Sequence, residues 1–81
     1  MKYSVVIVCD EKTGSFNAYV PDLAIVVVSN SIEKALSEVT EKVKQFIQLC
    51  KVENIEIPHP TPKEQIEQKW QGQIIRQVTV E

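Results

Sequence analysis

The sequence predicts an α+β domain in which three short strands lead into one long amphipathic helix and a last strand closes the chain. Three observations carry this. Segments 3–9, 16–20 and 24–28 are rich in β-branched and aromatic residues and are separated by turn signals. From Ile32 to Cys50 apolar residues recur at three- and four-residue steps. Residues 73–80, QIIRQVTV, return to a strand-like composition after a proline-rich connector.

The first strand is YSVVIVC (3–9). DEKTGS follows, where Gly14 supplies the positive φ of a tight turn. FNAYV (16–20) is the second strand, with Phe16, Ala18 and Val20 on one face and Asn17 and Tyr19 on the other. Pro21-Asp22 turns the chain into a third strand, AIVVV (24–28), whose apolar run has no polar break. A strand with one solvated face alternates polar and apolar residues, so this run predicts cover on both faces. Asn30 or Ser31 caps the helix, with Glu33 in capping-box register to Asn30. Its stripe is Ile32, Ala35, Leu36, Val39, Val43, Phe46, Ile47 and Cys50, and its other face carries Lys34, Glu38, Glu41 and Lys44. ENIEIPHPTP (53–62) is an extended connector. Thr61 then caps a short helix with Pro62 at its first position and Glu64 in capping-box register, ending near Trp70 before Gly72.

A strand reached through a long helix is expected to lie parallel to an earlier one. The predicted sheet order is therefore 3-2-1-4, an antiparallel three-stranded meander with the last strand parallel to the first and one long helix on one face. Strand 24–28 is then an edge with apolar residues on both faces, which natural sheets avoid unless something covers them. The candidate interface is Ala24, Ile25, Val26, Val27 and Val28, with Tyr19 and Trp70 beside it. Trp70 also fits a packing role between the short helix and the sheet, its indole N–H finding a nearby acceptor.

Residues 1–81 read as a single domain, with 43% hydrophobic and 25% charged residues. A domain this small buries only about 60–65% of its unfolded surface, so oligomerisation is a common supplement and a homodimer or tetramer is expected. The formal net charge is −2 and the nine Lys and Arg residues are scattered, which argues against direct nucleic-acid binding. No apolar run approaches the roughly 18 residues of a membrane span, and the N-terminus lacks a cleavage signal, so a cytoplasmic location is expected. Cys9 and Cys50 read as reduced core thiols and His59, in PHP, as a surface residue; neither spacing makes a metal site and no cofactor motif is present. Asp10, Asp22, Glu33 and Glu38 read as turn and helix-cap acids rather than a two-metal nuclease centre, and 73–80 holds no carboxylate. Catalysis is not expected. Asp10, Glu11 and Asp22 are candidates for steering a basic partner.

In this order MKYSVVI, GSFNAYVPDL, SNSIEKALSEV and IEIPHP resemble the HicB-like antitoxin family. The resemblance implies an incomplete ribonuclease-H-like fold, β-β-β-α-β. It implies a non-catalytic antitoxin that binds and inhibits a small HicA-type RNA-cleaving toxin by protein–protein contact. Many members carry a further DNA-binding domain; this sequence stops at Glu81 after the last strand, so no C-terminal DNA-binding domain is expected. Members often follow P-D-L with P-G-C, where this chain has AIVVV. That departure keeps a second reading open, a self-associating structural or regulatory domain without a toxin partner.

Overall fold

The computed structural model describes residues 1–80. Its elements are β1 (Lys2–Asp10), β2 (Ser15–Val20), β3 (Ile25–Ser29), α1 (Ile32–Val52), α2 (Lys63–Lys69) and β4 (Ile74–Thr79). The strands form one sheet in the order β3-β2-β1-β4.

Tight turns set the meander. Gly14, at φ 70, donates its N–H to the Asp10 carbonyl at 2.8 Å and reverses β1 into β2. Ala24, at φ 53, completes the β2–β3 turn in a left-handed conformation that a Cβ disfavours, so β3 starts at Ile25 rather than at Ala24. The ladder pairs Ala18 with Val27 and Tyr19 with Val26.

Ser31, not Asn30, caps α1, its hydroxyl accepting from the Lys34 N–H at 3.1 Å. Ala35, Val39, Val43, Ile47 and Cys50 form the buried stripe of α1, which packs over β3 and β2. Ala35, Val39, Val43 and Ile47 meet Tyr3, Val5, Ile7, Ala18, Val20, Val27, Val78 and Val80 in one core. Each fully buried Val contributes on the order of 1.5–3 kcal/mol. The helix ends where Asn54 turns left-handed at φ 55 and Ile55 N–H reaches back to the Cys50 carbonyl at 2.8 Å, a Schellman closure with Asn in the usual glycine position.

The last strand departs from expectation. β4 runs antiparallel to β1, from Ile7↔Ile74 to Lys2↔Thr79, not parallel to it. The reason lies between the helices. After α1 the connector stays at the Lys2 end of the sheet, where the Tyr3 hydroxyl donates to the Pro58 carbonyl at 2.6 Å. There Asp22 in the β2–β3 turn accepts the Thr61 N–H at 2.8 Å and the Thr61 hydroxyl at 2.5 Å. Thr61 is thus spent on this tether, and α2 starts after Pro62 without a side-chain cap. From here α2 carries the chain back along the second face. Trp70, its C-cap, sets its ring edge-to-face on Tyr19, with centroids 5.7 Å apart. Tyr19 is paired with Val6 and Val26, so all three share the face opposite α1. The turn at Gly72, φ 84, then feeds β4 in at the Asp10 end. Two traverses rather than one reverse the strand.

Candidate interaction surface

The pleat of β3 explains its unbroken apolar run. Val27 points into the core at 5% exposure and Ile25 packs against that core, whereas Val26 and Val28 on the other face are 57% and 61% exposed. α2 covers the second face near Tyr19 but leaves these two valines in solvent. Of the residues singled out from sequence, Ala24 is exposed in the turn, and Tyr19 and Trp70 are half-buried against each other. Val27 serves the core, and only its backbone belongs to the edge.

Among the described residues β3 pairs with β2 alone, so alternate backbone N–H and C=O groups along its outer side have no ladder partner. The opposite edge is differently built: β4 presents Arg76, Gln77 and Thr79 exposed, the charged and polar residues that discourage edge pairing. β3 carries no charge. On the α1 side its edge borders a groove of about 280 Å³ lined by Ile25, Lys42, Gln45, Phe46 and Leu49.

A second exposed apolar strip lies at the end of α1. Leu49, Val52 and Ile55 are 53%, 68% and 56% exposed, and Leu49 and Val52 line a further groove of about 540 Å³ with Lys44, Gln45 and Gln48. Glu53 and Glu56, both exposed, alternate with this strip. Sequence reading missed it because Leu49 and Val52 fall outside the inward stripe and Ile55 falls in the connector.

The acidic residues proposed to steer a partner do not form one patch. Asp10 and Glu11 sit at the β1–β2 turn, where Asp10 Oδ1 accepts the Lys12 N–H at 3.0 Å, whereas Asp22 is at the other end of β2, roughly 20 Å away at 3.4 Å per residue. Among the described residues no group of three or more His, Cys, Asp or Glu is placed to hold a metal ion. Cys50 is buried, but Cys9 is exposed where β1 enters its turn, so only one thiol belongs to the core. His59 is exposed. Trp70 Nε1 is buried without a hydrogen-bond partner among the described residues, in place of the acceptor expected for it, and so is Ser4 Oγ. Burial pushes the Tyr3 phenol above its usual 10.0, and the nearby Asp22 carboxylate adds to the shift. No described helix is long and apolar enough to cross a membrane.

No protein-family model matches the chain, and no curated protein sequence does. Among solved structures, the crystal structure of the N-terminal domain of Burkholderia pseudomallei antitoxin HicB is similar. It aligns over 100% of this chain and 99% of its own, with a TM-score of 0.88 at 14% sequence identity. The fold of this chain is therefore like that of the HicB N-terminal domain.

Proposed function

We propose that this domain acts as an antitoxin: a non-catalytic protein that binds a small HicA-type RNA-cleaving toxin and blocks it by contact. The observation that carries this reading is the end-to-end likeness of fold to the HicB N-terminal domain. The acids support it, since Asp22 is committed to Thr61 and Asp10 to its own turn. The toxin-binding surface in this reading is the strip Leu49, Val52 and Ile55 with its rim of Glu53 and Glu56. An RNA-cleaving partner must present cations to the phosphate backbone, and an apolar strip edged with carboxylates complements such a surface in shape and charge.

The test is capture with the immobilised domain, identification of any small basic protein retained, and an RNA-cleavage assay on that protein after purification. A retained ribonuclease that no longer binds when Val52 is changed to Glu, with the thermal transition of the domain unchanged, supports the reading. Retained proteins without ribonuclease activity, or binding indifferent to Val52→Glu, refute it.

A further inference from the structure

We infer that α2 is a detachable strap: it lifts off the sheet and unwinds as a unit while the four strands and α1 stay folded, uncovering the second face of the sheet.

Little holds α2 down. Every residue of α2 except Ile66 is exposed. A helix of about two turns is marginal on its own in water, and no side chain caps its start. Its helicity therefore depends on docking, through Ile66 at 4% exposure and through Trp70 on the Tyr19 ring. No residue of α2 belongs to the main core between α1 and the sheet, and neither does Val6. α2 can leave without opening that core.

The contact beneath α2 is also imperfect. Ser4 and Val6 alternate along β1 with the core residues Tyr3, Val5 and Ile7, so they lie on the α2 side of the sheet. Both are fully buried there. Ser4 Oγ and Trp70 Nε1 are the buried side-chain polar atoms that find no partner among the described residues, and both belong to this face. An unpaired buried donor works against the docked state. Lifting α2 returns both groups to water.

The chain has the slack for this motion. Residues 62–73 run between the Thr61 tether and the first β4 pair, Ile74↔Ile7. Fully extended they reach roughly 40 Å. Ile7 pairs with Ala18, so the two anchors are separated by the stretch from Ala18 to Asp22 and two strand spacings, within about 20 Å. Neither the tether nor the β4 ladder has to break. Gly72, at φ 84 with nothing packed against its Cα, is the hinge on the β4 side.

Lifting adds Val6 and Tyr19 to the exposed Val26 and Val28 of that face. The strap therefore sets how much apolar sheet the domain presents. The inference does not depend on the antitoxin reading, because every readout is made on the domain alone.

The test is amide hydrogen exchange on the full chain, read by NMR in water and in low urea. The Trp70 amide, bonded to the Ile66 carbonyl at 2.9 Å, is expected to exchange at least about 100-fold faster than the Val5 and Val6 amides. Its rate should barely respond to urea, since a small opening exposes little surface. Ile66→Asp undocks the strap. The emission of Trp70, the sole tryptophan, should then shift to the red and become quenchable by acrylamide, while the Val5 and Val6 amides stay protected. Adding Trp70→Ala to Ile66→Asp should leave the thermal midpoint within about 2 °C, because the strap is already off. Ser4→Ala removes one unpaired group and should slow exchange of the Trp70 amide several-fold. Equal exchange at Trp70 and in β1, unfolding of the whole domain by Ile66→Asp, a further fall in midpoint on adding Trp70→Ala, or a Trp70 amide no slower in Ser4→Ala overturns the proposal.

Discussion

Replacing Asp22 by alanine tests the contact that routes the chain from one face of the sheet to the other. Its carboxylate accepts two hydrogen bonds from Thr61, one from the backbone N–H at 2.8 Å and one from the hydroxyl at 2.5 Å. Hydrogen bonds to a charged group contribute about 1.5–3 kcal/mol each, and those to a partly solvated group fall at the low end. Part of the loss is recovered by water reaching Thr61, so Asp22→Ala is expected to cost about 2 kcal/mol. In a domain of 81 residues that corresponds to a fall in Tm of roughly 8–15 °C. Asp22→Asn keeps one acceptor oxygen and should lose about half as much. Calorimetry reads the global effect, and hydrogen exchange reads the local one: the Thr61 amide should exchange much faster in Asp22→Ala, while the amides of Val5 and Val6 change only with global stability. A Tm within about 2 °C of wild type, or an equally protected Thr61 amide, would refute the tether as a stabilising contact.

Other substitutions probe the remaining local arguments. Ser31→Ala removes the α1 cap and should cost about 1 kcal/mol in a urea titration, whereas Asn30→Ala should be nearly silent. Ala24→Gly relieves the left-handed backbone at φ 53 and should stabilise the domain by up to about 1 kcal/mol; a loss of stability would show that the turn is unstrained. The Tyr3 phenol makes stability fall at high pH. Both states are neutral well below pH 10.0, but above it the unfolded state releases its proton first because the folded value is raised. The slope is at most about 1.4 kcal/mol per pH unit for this one group, and Tyr3→Phe should flatten the alkaline limb. An unchanged limb in Tyr3→Phe would assign it to other groups.

Much of the fold was legible because local signals agreed. Alternation placed β2 with Ala18 and Val20 inward, and the three- and four-residue recurrence from Ala35 to Cys50 drew the buried stripe of α1. The direction of β4 was not legible. It depends on which turn Thr61 binds, and Asp22 lies 39 residues away in sequence. Thr61 before Pro62 looked like a helix cap because the same hydroxyl serves either purpose; tertiary contact chose the other. The run AIVVV is ambiguous in sequence for a related reason. Unbroken apolarity can mean two covered faces or one covered face beside an exposed patch, and only the positions of Val26 and Val28 relative to α2 distinguish them. The strip at Leu49, Val52 and Ile55 was hidden because three apolar residues on a helix end and its following loop carry no period of their own.

The most direct measurement of the central claim is RNA cleavage by the captured toxin, followed as this domain is added. Cleavage is expected to fall in proportion to the added domain and to stop near equivalence, and the domain alone is expected to leave RNA intact with or without added Mg²⁺ or Mn²⁺. Cleavage that continues at saturating domain, or RNA degraded by the domain itself, would contradict it.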